Sequence, residues 1–402
     1  MGSLLATHTS HFVRGPDGHV YSPETLLGYA FWTRYLVVFE GVSVVARVAR
    51  RASVPGDLPR ADGPGVEFLD LPDYLGPWEY LARRAGLGAR VRAAVGQHDA
   101  YCLRVPCANA TLIWHELRRR GLPFGLEVVG DPADSLGAGA VRSLARPLAR
   151  WSAVRALRAQ CRTACATAYV TREMLQRHYP PAPGAFTTHY SSIELPPEAF
   201  VVEPRTNLGA GHRLVYVGTL EVLYKAPDVL IRALALCRPH EVRLTIVGEG
   251  RERAGLEALA RDVGVRDRIT FAGRLPAGAA VREVLDTADL FVLPSRQEGL
   301  PRAMIEAMAR GLPCLGSTVG GIPELLPAED MVRPGDAKVL AAKITEMLAD
   351  NDRLCACARR NLALAQEYVQ EALAQRRRVF YQALDQASAR CGAARAAQGD
   401  RG

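Results

Sequence analysis

The passage Leu293-Pro294-Ser295-Arg296-Gln297-Glu298-Gly299-Leu300-Pro301-Arg302-Ala303-Met304-Ile305-Glu306 carries two carboxylates, Glu298 and Glu306, eight residues apart. It reads as a strand, a loop and the start of a helix. Pro301 suits the first helical position, where a missing N–H costs nothing. The unpaired N–H groups at Gly299 and Leu300 would then leave the helix N-terminus ready for a diphosphate. Glu306 lies about a turn and a half into the helix and can face the same cleft. A carboxylate repels phosphate, so Glu306 suits a ribose hydroxyl and Glu298 a sugar hydroxyl. Solvated acids at a helix start would account for either residue alone, because the helix dipole favours them there.

Three further strand ends carry unusual residues. Val215-Tyr216-Val217-Gly218-Thr219-Leu220 stops at a glycine, where a ligand can approach the backbone, and Lys225 follows just before a helix begun at Pro227. The lysine ammonium and that helix start could share an anion; a turn with a solvated lysine explains the same residues. Ile246-Val247-Gly248-Glu249-Gly250-Arg251 invites comparison with a dinucleotide fingerprint and fails it, because Arg253 stands at the third glycine position. Phe271-Ala272-Gly273-Arg274 by itself is only a tight turn. The chain has 47 arginines and three lysines, so a bias toward arginine has spared position 225. The two side chains meet a phosphate differently.

The elements that must hold these residues alternate. Arg213–Val217, Arg243–Val247, Arg268–Phe271, Leu290–Leu293 and Pro313–Gly316 are predicted strands. Pro227–Cys237, Arg251–Val263, Ala279–Asp286 and Pro301–Arg310 are predicted helices between them, the pattern of a parallel, doubly wound sheet. Ligands of such sheets sit beyond the carboxyl ends of the strands, where all four passages end. In the first half, Ser3–Thr7, Val42–Val48, Ala100–Val105, Phe124–Val129 and Thr163–Thr171 are predicted strands. Leu26–Phe39, Ala110–Arg120 and Ser143–Arg162 are predicted helices, the second capped by Gly121. The expected organisation is an α/β domain over 1–195, a second over 196–370 joined through Ser191–Pro204, a helix over 371–388 and a disordered tail from 389 to 402.

Together these motifs resemble the retaining glycosyltransferase family with an E-x7-E motif (glycosyl transferases group 1). E-G-L-P-R-A-M-I-E at 298–306 is similar to that motif, and Gly320-Gly321-Ile322-Pro323-Glu324 to the G-G-x-P-E segment after it. The likeness runs in order from Arg213 to Leu326. It implies a GT-B fold of two Rossmann-like domains facing across a cleft, and transfer of sugar from a nucleotide-sugar donor, a UDP- or GDP-sugar. It further implies that Lys225 neutralises the donor diphosphate, Glu298 contacts the transferred sugar, Glu306 the ribose, and the backbone of Gly299 and Leu300 phosphate. Gly218 and Thr219 would lie beside the phosphates, and Gly248, Gly273 and Arg274 would frame the base. With Lys225 and a helix start supplying countercharge, neither metal nor cofactor is expected. Two positions depart: Thr219 stands where the family usually has arginine, and Ala226 where it has glycine. In the first half, Gly15-Pro16-Asp17-Gly18 falls where the family keeps a glycine loop near the phosphates. Asp131 falls where many members face the reaction centre with a histidine or aspartate; a turn aspartate before Pro132 is the simpler reading.

Composition narrows the field. A net charge of +8 comes from basic residues interleaved with 42 acids, which argues against nucleic acid. No apolar run spans a bilayer, and Met1–Ser10 lacks a basic segment ahead of an apolar core, so a cytoplasmic chain is expected. The nine cysteines make no C-x-x-C pair and read as small core residues. Asp350-Asn351-Asp352 matches D-x-D but follows no active-site strand, and reads as a turn. The helix bearing Arg146, Arg150, Trp151, Arg155, Arg158 and Arg162 could rest on an anionic membrane, where a lipid-linked acceptor would be met, or cover its own sheet. The acceptor classes expected are a glycan, a polysaccharide or such a lipid. An epimerase or phosphorylase of the same fold, or an inactive nucleotide-sugar binder hinted at by Thr219, are the alternatives.

Overall fold

A computed structural model describes residues 2–56, 58–135, 146–204, 212–237 and 241–399. The first half forms one sheet from β1 (Ser3–Arg14), β2 (Val20–Tyr21), β3 (Gly41–Arg50), β4 (Val66–Pro72), β5 (Ala100–Val105), β6 (Gly125–Val128), β7 (Ala166–Tyr169) and β8 (Phe186–His189). Its order is β4-β3-β1-β5-β6-β7-β8, all parallel, with β2 folded back antiparallel on β1. The second half forms a parallel sheet from β9 (Arg213–Val217), β10 (Arg243–Val247), β11 (Ile269–Gly273), β12 (Leu290–Leu293), β13 (Cys314–Ser317) and β14 (Met331–Val332). Its order is β11-β10-β9-β12-β13-β14, a doubly wound arrangement. Leu290–Leu293 are wholly buried, as expected of a central strand covered on both faces.

Several first-half elements differ from the sequence reading. The single helix expected over Leu26–Phe39 is instead a 3-10 turn (Thr25–Leu27), one helical turn (Tyr29–Trp32) and another 3-10 turn (Thr33–Tyr35). Gly28, extended at ψ 179°, breaks it. Phe31, Trp32, Tyr35 and Phe39 are all buried, and Trp32 packs edge-on to His8 and Phe68. Burial on every side favours irregular turns over one apolar stripe. The expected strand Ser3–Thr7 continues to Arg14 across a register shift between Thr7 and His11. The unforeseen helix Gly76–Ala94 contains Gly86 and Gly88, which mask a helical pattern. Residues 143–145 of the expected basic helix lie outside the described residues, and it runs from Arg146 to Cys161.

The expected disordered tail is a correction: the last helix runs unbroken from Gln370 to Gly399, and residues 400–402 lie outside the described residues. It crosses back to the first domain, where Phe380 and Leu384 meet Gly125 and Arg395 donates to the carbonyls of Arg120 and Gly121. The chain's two passages between domains lie side by side, joined by Gln370 N–H to the Leu195 carbonyl at 2.9 Å. All nine cysteines are free thiols, buried or half-buried. Among the described residues no helix is long and apolar enough to cross a membrane.

Candidate functional site

The carboxyl ends of β9, β10, β11 and β12 meet at the edge of the second sheet that faces the first domain. Gly218, Gly248 and Gly273 form a tight row there: Gly218 N–H donates to Val247 O at 2.9 Å and Gly248 N–H to Gly273 O at 2.8 Å. A Cβ on Gly248 would fall 1.9 Å from the Gly218 carbonyl oxygen, so only glycine lets these strand ends touch. Gly273 (φ 71°) turns the chain, and Arg274 beside it is exposed. Thr219 is half-buried, and its hydroxyl accepts the Glu221 N–H at 3.2 Å.

Lys225 ends a 3-10 turn (Leu223–Lys225), and Ala226 adopts the left-handed conformation, φ 56°, before the helix Pro227–Leu236. That conformation is the physical reason the resembling family uses glycine here. The lysine stem passes over Gly218, where a Cβ would lie 2.6 Å from Lys225 Cδ. Its Nζ sits 2.6 Å from Glu298 Oε1, with the side chains only 15% and 7% exposed. Ser295 Oγ donates to the same carboxylate oxygen at 2.9 Å, and Ser317 Oγ donates to the Ser295 carbonyl. The Glu298 carboxylate is therefore held by two donors, Lys225 and Ser295, and the Lys225 cation is already at the strand ends.

Beyond Glu298 the chain passes Gly299 and Leu300 to Pro301, which caps the helix Arg302–Ala309 rather than opening it. Glu306, on that helix, is half-buried, and burial raises its carboxyl above the usual range. The segment after β13 closes onto the loop: Gly321 N–H donates to Gly299 O at 2.6 Å. A Cβ on Gly320 (φ 54°) would lie 1.9 Å from the Glu298 carbonyl oxygen.

The two domains touch through this loop. A Cβ on Gly299 would lie 3.4 Å from Val129 O, one on Gly321 would lie 3.2 Å from Thr171 Cγ2, and Gln297 donates to the Asp134 carbonyl. Sequence reasoning assigned Glu324 no role, yet it reaches into the first domain. Its carboxylate accepts the N–H groups of Arg172 (2.5 Å), Glu173 (3.1 Å) and Met174 (2.8 Å), capping the helix Met174–His178. The G-G-x-P-E segment marks the residue, but nothing local in it shows that Glu324 crosses to the first domain. Glu324→Ala should leave nucleotide affinity unchanged but lower kcat/KM roughly tenfold, as expected for losing about 1–2 kcal/mol of charged hydrogen bonding between domains. Steady-state kinetics beside nucleotide titration check this, and an unchanged kcat/KM would remove Glu324 from the account.

The remaining sequence-derived residues lie apart or are otherwise engaged. Asp131 is buried beyond β6, where it takes bonds from the Tyr179 hydroxyl and from Ala133 N–H (2.7 Å) and faces His178 Nδ1 at 3.2 Å. This is the turn-capping arrangement of an aspartate before proline. Gly18 (φ 83°) is at the tip of the β1–β2 hairpin, in a hollow with Arg14, Arg50 and Arg51, and a Cβ added there would meet open space. Asp350 caps the helix Asn351–Ala365 through the Arg353 N–H. Among the described residues, no three His, Cys, Asp or Glu side chains converge as metal ligands.

Comparison with known proteins agrees with this geometry. Residues 211–350 match the family model described as glycosyl transferases group 1. Protein CapJ of Staphylococcus aureus is 24% identical over 329 residues, 80% of this chain and 79% of that protein. Curated glycosyltransferases such as D-inositol 3-phosphate glycosyltransferase of Nocardia farcinica (33% identical over 186 residues, 43% of this chain) are covered over only 40% of their own length. Among solved structures, sucrose-phosphate synthase of Thermosynechococcus elongatus superposes with TM-score 0.72 at 18% identity, covering 96% of this chain and all of that one. These likenesses give the GT-B architecture of two facing Rossmann-like domains.

Proposed function

We propose that this chain, whose residues 211–350 match the model of glycosyl transferases group 1, moves a sugar from a nucleotide-sugar donor to a glycan, polysaccharide or lipid-linked acceptor, with retention at the anomeric carbon. The observation that carries the reading is the Lys225–Glu298 pair at the carboxyl ends of β9 and β12, beside a helix start and against the first domain. When a donor binds, its diphosphate takes the Lys225 ammonium and the free N–H groups from Gly299 onward. Both stabilise the charge that develops on the leaving nucleotide. Glu298, released by the lysine and still held by Ser295, accepts hydroxyls of the sugar. Glu306 takes the ribose, and Gly248, Gly273 and Arg274 frame the base. Gly18 would approach the phosphates only if the domains close further. Asp131 is our third candidate near the reaction centre, because the adjacent Val129 carbonyl meets Gly299.

A UDP-sugar is the donor to try first. The amylovoran biosynthesis glycosyltransferase AmsK of Erwinia amylovora is 34% identical over 157 residues, 36% of this chain, which supports polysaccharide assembly as the setting. The test is release of UDP or GDP from the corresponding sugar nucleotides in the presence of acceptor glycans, with the anomeric configuration of the product read by NMR. In this reading transfer continues in excess EDTA, because Lys225 and a helix start supply the countercharge. Complete loss of activity restored by manganese would contradict it and return attention to Asp350 and Asp352.

Peripheral membrane contact is the second part of the proposal. On the helix Arg146–Cys161, Leu148 and Trp151 are 68% and 61% exposed, and Arg155 lies over the Trp151 ring. An apolar pair among arginines suits an anionic bilayer surface. Co-sedimentation should be stronger with phosphatidylglycerol vesicles than with phosphatidylcholine vesicles, and weaker for Trp151→Ala. Equal binding to both would discard this contact.

A further inference from the structure

At the carboxyl ends of β5, β6 and β7, directly under the loops that carry Gly299 and Gly321, the first domain has a small hollow of about 10 Å³, room for one water-sized group beneath an open mouth. Arg34, Arg104, Glu127, Val129, Tyr190 and Ser192 line it. Its polar chemistry is unbalanced. Arg34 is 9% exposed; its Nη2 pairs with the half-exposed Glu194 at 2.6 Å, while its Nε is buried without a partner. Arg104 pairs with Glu127 at 3.0 Å, but that carboxylate is shared with the hydroxyls of Tyr35 (2.9 Å), Tyr190 (2.7 Å) and Tyr381 (3.1 Å). Both guanidinium groups stack on the ring of Phe31, at 3.8 and 5.4 Å. Arg377, buried nearby, has an unpartnered Nη1. Three buried arginines thus share two carboxylates.

The surroundings report the same excess of positive charge. His8, edge-on to Phe31, is pushed down to about 3 by burial and then by Arg104; Glu127 opposes this and Arg34 adds to it. Across the cleft, burial and then Arg104 lower Arg302 of the second domain, although Glu24, Tyr224 and Glu306 oppose this. A water in the hollow would satisfy Arg34 Nε, but it would not offset the charge. An oxyanion with one oxygen in the hollow and the rest of the group at its open mouth does both, and guanidinium groups are shaped for oxyanion oxygens.

We propose that this hollow holds an oxyanion, phosphate or carboxylate, carried by the acceptor. The assignment rests on the glycosyltransferase reading for its acceptor side: the donor's phosphates are met by Lys225 on the opposite wall. The acceptor would then be an acidic saccharide or a phosphate-bearing lipid or sugar rather than a neutral glycan.

Inorganic phosphate and acetate serve as probes, titrated separately into the full-length protein with and without a saturating nucleoside diphosphate, and followed by thermal shift. One anion should stabilise the wild type and Lys225→Ala alike, and should do so on top of the nucleotide. Arg34→Gln should weaken that anion at least about tenfold, as for loss of a charge-assisted hydrogen bond, while nucleotide affinity stays unchanged. Comparison with Arg34→Gln removes the general salting effect of phosphate. Ser192→Val, which fills the hollow without removing charge, should act in the same way and serves if Arg34→Gln fails to fold. The stronger anion separates phosphate from carboxylate acceptors. Competition between anion and nucleotide, a shift lost in Lys225→Ala but kept in Arg34→Gln, or no difference between wild type and both hollow variants overturns the proposal. An anion shift that depends on Arg34 in a protein that binds no nucleotide keeps the hollow and rejects the donor site.

Discussion

Lys225→Ala is expected to lower kcat/KM by at least about a hundredfold, the scale on which an enzyme loses rate when one preorganised donor to developing charge is removed. The expected cause is local. The lysine is the cation buried at the strand ends, and its partner Glu298 keeps Ser295 as a second support, so the fold should survive. Lys225→Arg should also fail. The stem passes over Gly218, where even a Cβ would lie 2.6 Å from Lys225 Cδ, a passage that fits an aliphatic chain and a point charge, not a broad planar group. In a chain with 47 arginines, a lysine at this position is explained by that passage. Kinetics with thermal melting decide the matter: full activity in Lys225→Arg would mean that any cation serves, and full activity in Lys225→Ala would remove the site.

The second large effect is expected from a residue that touches no substrate. Gly320→Ala places a methyl 1.9 Å from a backbone oxygen of Glu298 and asks alanine to hold φ 54°. No side-chain rotation relieves a clash with main chain, so the loop carrying Glu298 must move. The cost should be about 2–4 kcal/mol of stability, in line with overpacking plus a left-handed residue, together with loss of transfer. Gly18→Ala is the contrast, since open space surrounds that glycine and only the backbone term of about 1 kcal/mol applies. Differential scanning calorimetry and transfer assays on both variants check this. A normal melting temperature for Gly320→Ala would show that the loop can be repacked.

The second domain was largely legible in the sequence because its strands are short, apolar and punctuated by glycines at their carboxyl ends. β9, β10 and β12 lie where expected, and the residues singled out at their ends, Gly218, Gly248, Glu298 and Gly299, meet in space. The first domain was harder for physical reasons. The aromatic segment around Trp32 is buried on all sides, so its period misleads, and Gly86 and Gly88 weaken the signal of a 19-residue helix. The tail looks disordered by composition, but contacts far away in sequence hold it: Tyr381 to Glu127, and Arg395 to the end of another helix. No local pattern could have paired Lys225 with Glu298, or sent Glu324 across to the first domain, because both depend on which strand ends become neighbours. Asp131, chosen by position, has a carboxylate bonded to Tyr179 and to a helix start, a partnership between separate elements that local pattern does not reveal.

The central claim is that Lys225 and the strand ends around it bind the diphosphate of a nucleotide-sugar donor. It is tested most directly by a metal-free thermal-shift panel of UDP, GDP, ADP and CMP against wild type and Lys225→Ala. At about 100 times its dissociation constant, the cognate nucleotide should stabilise the wild type by about 2.7 kcal/mol. The account predicts a clear shift with one nucleoside diphosphate, absent in Lys225→Ala. No shift with any of the four, or an equal shift in both proteins, would contradict it.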